Sequence, residues 1–336
     1  MIKPNLFRFA TSELSQDAML CWLAEWANPA AAEHDRLLHC LGQSFLNLVF
    51  SNHGVERSQP INHIEIKRQH KNIDVLVTIN NAFALCFEDK AGTSEHSDQL
   101  QRYVDVLKAE GFSEDHILPV YIQTGEQSSY RSVTAAGYEV IHRRQLIELL
   151  CEYLRQGGLD SIALDFHDHL ANIDRAVQAF RTLPFADWEW NAWQGFYSEL
   201  QRVLGEGDWG YVATPAGGFL GYWWHWHSDS GCEQYMQIQE GCLCFKISVD
   251  EPARRSELRS LWLARILAAS REMNFSAVRP QRLGMGQTMT VAVDGEYRIA
   301  NNEGALDLDA TVQVLRTAAN VLDRAATSGA PNAPSE

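Results

Sequence analysis

Residues 72–103 read NIDVLVTINNAFALCFEDKAGTSEHSDQLQRY. Two short apolar runs, IDVLV and AFALCF, are separated by a segment that contains two asparagines. Runs of this length, rich in β-branched and aromatic residues, predict the two strands of a β-hairpin. Asp74 lies in the first run, whereas Glu88, Asp89 and Lys90 follow the second. The charged residues therefore lie at the ends of two neighbouring strands.

The register of this hairpin decides whether the charges meet. Side chains alternate between the two faces of a strand, so Glu88 and Lys90 share a face and the residue between them points away. A two-residue turn would place Asp74 on the face opposite Glu88. A three-residue loop over residues 79–81 would instead pair Asp74 with Cys86 and gather all three charges on one face. We favour this loop, because the other register would bury Asp74 among aromatic residues.

The charged face has a composition that suits metal chemistry. It also carries small residues, Ala82, Ala84 and Cys86, which we expect to leave room for another molecule. Two carboxylates a few ångströms apart are costly unless a cation lies between them. Mg²⁺ and Mn²⁺ prefer a small number of hard oxygen ligands and retain several waters. A lysine beside such a site can orient an attacking water, so the pattern indicates metal-assisted hydrolysis of phosphodiester bonds.

The order Asp74, Glu88-x-Lys90, Gln99-x₃-Tyr103 resembles the PD-(D/E)XK nuclease superfamily, in particular a bacterial branch with the pattern D…EDK…QxxxY. The resemblance implies that Asp74 and Glu88 bind Mg²⁺ (or Mn²⁺) and that Lys90 is the catalytic lysine. It further implies that Gln99 and Tyr103, which lie on one helical face, support the site or contact the phosphate. The sequence departs from the family pattern in one place, since no proline precedes Asp74.

Two further metal ligands follow from the same resemblance. One is the main-chain carbonyl of Asp89. The other candidate is Glu13, because an acidic residue of the first helix approaches the metal in some superfamily members. An acidic residue in a first helical turn is equally well explained by the helix dipole. Asp17 has the same two interpretations, with a weaker claim.

Composition limits the classes of partner. The net charge is −15, with −6 in residues 1–150 and −9 in residues 151–336. This balance opposes tight non-specific DNA binding but is compatible with a nuclease whose cleft is locally basic. The seven cysteines include no CxxC pair, and no secretory or membrane-spanning segment is recognisable. We therefore expect reduced thiols, a cytoplasmic location and no membrane contact.

The predicted element order in residues 1–158 is α-α-β-β-β-α-β-β-α, which fits an α/β, restriction-endonuclease-like mixed sheet flanked by helices. Residues 159–204 are predicted to be a helical connector. Residues 205–326 are predicted to form a C-terminal α+β domain with an antiparallel sheet, including a strand at 296–300. Residues 327–336 are rich in Ala, Pro and Ser and are predicted to be a disordered tail.

The C-terminal half is rich in aromatic residues. Residues 187–193 are interpreted as a packing seam to the next domain, with a base-stacking platform as the alternative. Two faces are predicted for a regular strand over residues 218–227: Tyr222, Trp224 and Trp226 on one, and Trp223, His225 and His227 on the other. The two histidines could bind zinc, although the sequence identifies no third ligand.

These features predict a metal-dependent nuclease, with DNA as the expected substrate. The resemblance implies a role in defence against foreign DNA, with repair or recombination as the alternative role for a nuclease. The alternative is a catalytically inactive nuclease-fold protein that serves as a protein-binding or scaffold module. In either case the C-terminal domain is expected to select the substrate, bind a protein partner or form a homodimer.

Overall fold

The computed structural model describes residues 4–57, 59–90, 99–214, 217–229 and 231–327. It divides into two units between Ala176 and Val177. Each unit contains one five-stranded sheet. The sheet of the first unit is mixed and that of the second is antiparallel. The predicted fold class, a mixed sheet flanked by helices with a second α+β part, is therefore confirmed.

The first unit is built on strands that lie side by side in chain order. The strands are β1 (Ile64–His70), β2 (Ile73–Ile79), β3 (Phe83–Lys90), β4 (Ile117–Gln123) and β5 (Glu139–His142). Strands β1, β2 and β3 are antiparallel, whereas β3, β4 and β5 are parallel. The helices of this part are α1 (Glu13–Trp26), α2 (Arg36–Asn52), α3 (Gln99–Ala109), α4 (Arg131–Ala135), α5 (Arg143–Arg155) and α6 (Ser161–Gln178). Strand β1 forms one edge of the sheet and β3 its centre.

A three-residue loop joins β2 to β3, as predicted, but it begins one residue later. Ile79 pairs with Phe83, which leaves Asn80, Asn81 and Ala82 in the loop. The two asparagines have φ angles of 53° and 50°, a left-handed conformation that Asn adopts more readily than most residues. The asparagine pair therefore sets the position of the turn.

This loop determines which residues face each other across the hairpin. Val75 pairs with Phe87, so continuing the register by one residue places Asp74 opposite Glu88, and not opposite Cys86 as predicted. The observed partner differs from the predicted one by two residues, an even offset that preserves the facing of every side chain. Asp74 and Glu88 therefore lie on the same face of the sheet.

The two faces of the first sheet pack against different helices. One face carries the aliphatic and aromatic residues of β2 and β3, which form a core with α1, α2 and α5. The opposite face carries Ala84 and Cys86, over which α3 packs through Tyr103 and Leu107. The space that we expected these small residues to leave is thus filled by α3.

The second unit contains an antiparallel sheet in the spatial order β10-β9-β8-β7-β6. Its strands are β6 (Asp208–Thr214), β7 (Gly217–Asp229), β8 (Cys232–Gln239), β9 (Cys242–Ser248) and β10 (Thr288–Asp294). Its helices are α7 (Trp190–Leu204), α8 (Arg255–Glu272) and α9 (Leu308–Thr327). All three helices contribute buried residues to one core with the sheet.

The aromatic segment at the start of α7 serves mainly for packing. Trp193 and Tyr197 are buried in the second core, and Trp188 lies against Trp193 with ring centroids 4.8 Å apart. Trp190 is exposed. These positions favour the packing interpretation for Trp193 and Tyr197.

Some elements differ from the prediction. Strand β6 lies in a stretch where the sequence predicts no particular strand, and the strand expected at 296–300 is absent apart from an isolated bridge at Ala300. Residues predicted as a connector contribute to both cores, for example Phe166 to the first and Phe196 to the second. Nearly all of the predicted disordered tail, residues 328–336, lies outside the described residues.

Helices α1 and α2 approach each other closely at Gly42. A Cβ atom at this position would lie 2.5 Å from the backbone nitrogen of Ala27. Beside it, His39 Nδ1 lies 2.9 Å from the carbonyl oxygen of Trp26, and Gln43 Nε2 donates to that of Ala27 at 2.8 Å. Side chains of α2 thereby supply partners for the terminal carbonyls of α1, which have none within their own helix.

We expect Gly42→Ala to destabilise the protein by about 2 kcal/mol, although alanine is the better helix former. The added methyl group would meet backbone atoms of α1, which cannot rotate away. Urea unfolding of the variant and the wild type measures the difference. Ser44→Ala, at an exposed position of the same helix, is the control. Equal stability of the two variants would contradict the close packing.

Candidate active site

The ends of β2 and β3 bring three charged residues together on one face of the first sheet. Lys90 Nζ lies 2.6 Å from Glu88 Oε1. Glu88 is fully buried, and the side chain of Lys90 is 12% exposed. Asp74 is half-buried and close enough to Glu88 to affect its protonation. The residues that the sequence predicted as the centre of the site are therefore neighbours in space.

Gln99 and Tyr103 approach these charges from α3. Gln99 Nε2 donates to the two carboxylate oxygens of Glu88 at 3.2 and 3.3 Å. It also contacts the hydroxyl group of Tyr103, which lies four residues further along the same helical face. Tyr103 is itself buried. Gln99 thus orients the Glu88 carboxylate, and Tyr103 restrains Gln99.

Asp74 retains the capacity to accept further interactions. Its Oδ1 accepts a hydrogen bond from Gln69 Nε2, and its Oδ2 accepts one from the backbone nitrogen of Asp89, both at 3.3 Å. These distances are long for charge-assisted hydrogen bonds. An ionised carboxylate offers about four lone-pair sites. A cation could therefore bind Asp74 without displacing a strong contact.

Asp89 points to the opposite face, as the alternation along β3 requires. Gln16 of α1 donates to Asp89 Oδ1, and Thr124 Oγ1 donates to Gln16 Oε1 at 2.9 Å. The carbonyl oxygen of Thr124 accepts from Arg143 Nη1 at 2.6 Å. The Thr124 backbone nitrogen donates to the carbonyl oxygen of Lys90 at 3.1 Å. This network fixes the main chain at the end of β3; the ligand role of the Asp89 carbonyl stays a prediction.

Two acidic residues of α1 lie at the periphery. Glu13 Oε2 is 3.8 Å from Lys90 Nζ. Asp17 is buried, and its Oδ2 lies 4.0 Å from Arg68 Nη2. Asp17 Oδ1 has no hydrogen-bond partner within the described part of the chain. Helix α1 therefore adds negative charge to the site, and Glu13 is the nearer of the two acids to Lys90.

Burial determines the charge state of the site. It raises the pKa of Glu88 to about 7 and that of Asp17 to about 6, and the charge of Asp74 adds to both shifts. It also raises the pKa of Asp89 well above its usual value. Burial alone would lower the pKa of Lys90, but the hydrogen bond and charge of Glu88 outweigh it and raise that pKa. Lys90 is therefore a cation at neutral pH, beside carboxylates whose cost a bound cation would offset.

The sequence did not identify the residues that support the site from behind. Gln16 lies three positions after Glu13 on α1. Its polar side chain on the buried side of this helix is the signal by which the sequence could have identified it. Thr124 directly follows β4. The carboxyl ends of parallel β3 and β4 meet at one edge of the sheet, so the topology brings Thr124 to Lys90. Gln69 precedes the turn between β1 and β2 and has a φ angle of 53°.

Comparison with known proteins gives one match. A model of the PD-(D/E)XK nuclease superfamily matches residues 4–173, a range that includes every residue of the site described above. Neither a curated protein nor a solved structure matches the chain. Separately, none of the helices in the described ranges is both long and apolar enough to cross a membrane.

The pKa of Glu88 predicts how stability depends on pH in the absence of metal. Because the pKa in the folded state lies at about 7, above its ordinary value of 4.5, the folded state retains a proton that the unfolded state releases. The native state is therefore penalised as the pH rises through 4.5, and the penalty is complete above about 7. We compare the unfolding free energy of wild type with that of Glu88→Gln in EDTA. As the pH rises from 4 to 8, the wild-type value should fall by up to ~3 kcal/mol more than the value of the variant.

Urea unfolding over this pH range measures the difference between the two proteins. Glu65→Gln, at an exposed position of β1, is the matched control and should follow the wild type. If the curves for wild type and Glu88→Gln remain parallel, Glu88 does not titrate as described.

Proposed function

Because the chain belongs to the PD-(D/E)XK nuclease superfamily, we propose that it is a Mg²⁺-dependent (or Mn²⁺-dependent) nuclease that hydrolyses the phosphodiester bonds of DNA. The observation that supports this most strongly is the proximity of Asp74, Glu88 and Lys90 on one sheet face, with Gln99 and Tyr103 beside them.

The residues present suit a hard divalent cation. Asp74 and Glu88 would bind it through carboxylate oxygens, with the main-chain carbonyl of Asp89 as a further ligand and Glu13 as an additional candidate. Glu88 is fully buried beside a second carboxylate, and burial raises its pKa, a cost that such a cation would relieve. When bound, the ion would polarise the scissile phosphate and acidify a water.

The protein's own side chains would position the reactants. Lys90 is protonated at neutral pH, so its role is to donate hydrogen bonds to the attacking water or the phosphate, not to remove a proton. Its charge would also stabilise the negative charge that develops during in-line attack. Gln99 holds the Glu88 carboxylate in one orientation. The network from Arg143 through Thr124 keeps the end of β3 in place.

The second unit would supply selectivity. Its sheet presents exposed aromatic residues, among them Tyr211 and Trp226, and residues 177–336 carry a net charge of −6. This charge supports a protein partner or a second copy of the chain over non-specific contact with DNA. The seven free cysteines support the cytoplasm as the expected compartment.

The test is cleavage of plasmid and single-stranded DNA in MgCl₂ or MnCl₂. We expect Lys90→Met and Asp74→Asn each to lower the rate by about 100-fold or more. Lys67→Met, at an exposed lysine of β1, is the matched control and should leave the rate unchanged. In calorimetry, Lys90→Met should still bind Mg²⁺, whereas Asp74→Asn should bind it more weakly.

Two outcomes would reject the proposal in different ways. Cleavage that persists unchanged in both variants would show that the active site lies elsewhere. A wild-type protein that neither cleaves DNA nor binds Mg²⁺ or Mn²⁺ would favour the inactive scaffold.

A further inference from the structure

Two histidines of β7 and one aspartate of α9 converge in the second unit. Nε2 of His225 and Nε2 of His227 each lie 2.8 Å from Oδ1 of Asp323. The two imidazole rings have centroids 4.7 Å apart. One ligand atom from each of the three residues lies within 4.8 Å of the other two. Among the residues that the structure describes, no other three His, Cys, Asp or Glu side chains form such a group.

A β-bulge explains why both histidines reach α9. The pairing of β7 with β8 shifts between Trp224 and His227, and His225 has a φ angle of 59°. Trp224 contributes to the core under the helices, whereas Trp226 stacks on Tyr235 on the opposite face of the sheet. The predicted grouping of Trp226 with Trp224 is therefore wrong, because the extra residue of the bulge reverses the alternation. The histidines instead face the helix side.

The conformation of His225 itself needs an explanation. A positive φ is uncommon for residues other than glycine and is enriched at functional sites, where surrounding contacts hold the backbone in place. Here Glu206 Oε2 lies 3.4 Å from the backbone nitrogen of His225, and Asp323 holds the ring. The unusual backbone is thus tied directly to the cluster.

The three side chains are partly exposed, although Nε2 of His227 is itself shielded from solvent. They are 22%, 33% and 44% exposed for His225, His227 and Asp323 respectively. The carboxylate of Glu206 faces the other ring nitrogen of His225, with Oε1 3.8 Å from Nδ1. In metal sites a carboxylate in this position commonly holds the proton on the second nitrogen, which leaves Nε2 available to the metal.

We propose that His225, His227 and Asp323 bind a divalent transition-metal ion, and that this ion is Zn²⁺. Two imidazole nitrogens and one carboxylate oxygen are donors that zinc accepts, and three protein ligands leave a fourth position for water. Mg²⁺ does not fit, because it prefers an all-oxygen shell. The ion would join β7 to α9, which are far apart in the chain, and so stabilise the second unit.

Hydrogen bonding alone explains the cluster less well. His225 Nε2 makes a hydrogen bond with Asp323 Oδ1. His227 Nε2 lies equally near that oxygen, yet it makes no hydrogen bond of acceptable geometry to any described residue. Ligand atoms around a tetrahedral zinc ion lie about 3.3 Å apart. Each imidazole nitrogen would have to move roughly half an ångström away from Asp323 Oδ1 for the three atoms to share an ion.

The experiment measures Zn²⁺ affinity of the full chain by competition with a chromophoric zinc chelator, after treatment with EDTA. Wild type and Asp74→Asn should both bind one tight zinc ion, because the second variant alters only the nuclease site. His227→Asn and Asp323→Asn should weaken this binding by more than the roughly 10-fold to 100-fold typical of losing an outer-shell partner. His63→Asn, at an exposed histidine of the first unit, should bind as wild type does.

Melting temperature provides an independent readout. Zn²⁺ should raise the melting temperature of wild type and Asp74→Asn, but not of His227→Asn or Asp323→Asn. Mg²⁺ should not reproduce the stabilisation that depends on His227. Metal-free variants that melt close to wild type establish that they fold. The proposal is overturned if wild type binds no zinc tightly, or if His227→Asn and Asp323→Asn bind it as tightly as wild type.

Discussion

Burial of Glu88 opposite Asp74 is the constraint on which the first unit depends. A carboxylate with no exposed surface, facing another carboxylate across a hairpin, raises the free energy of the native state unless its charge is compensated. Lys90 compensates from two residues further along the same strand, and Gln99 from the adjacent helix. Together, the hairpin, α3 and the small residues between them place the ammonium group of Lys90 and the amide of Gln99 against the buried carboxylate of Glu88.

Consecutive residues of β3 serve opposite sides of the sheet. Glu88 and Lys90 face α3 and provide the charged groups, whereas Asp89 faces α1 and anchors the strand through Gln16. The parallel pairing of β3 with β4 completes this arrangement, because it delivers Thr124 to the carbonyl oxygen of Lys90. The charged groups and their structural support therefore come from the same three residues, separated only by the pleat of the strand.

The parts of the site that follow from local rules could be predicted from the sequence, and those that depend on distant contacts could not. Hydrophobic alternation predicted that Asp74, Glu88 and Lys90 share a face, because shifting the pairing of β2 with β3 by an odd number of residues would bury a charge. It did not give the pairing of Asp74 with Glu88, since every even offset satisfies the pattern equally. The bulge at His225 could not be predicted for a related reason. One inserted residue reverses the facing of all later side chains in the strand, but it does not change the composition of the segment.

Strand β1 is the first strand in the sheet order, so within the described part of the chain one of its sides pairs with no other strand. An unpaired strand edge is a template on which another polypeptide can add by β-augmentation and so begin an aggregate. Here that edge carries Glu65, Lys67 and Arg68, all exposed. An incoming apolar strand would have to strip water from these ions. The charges on β1 thus oppose the addition of an apolar strand at this edge.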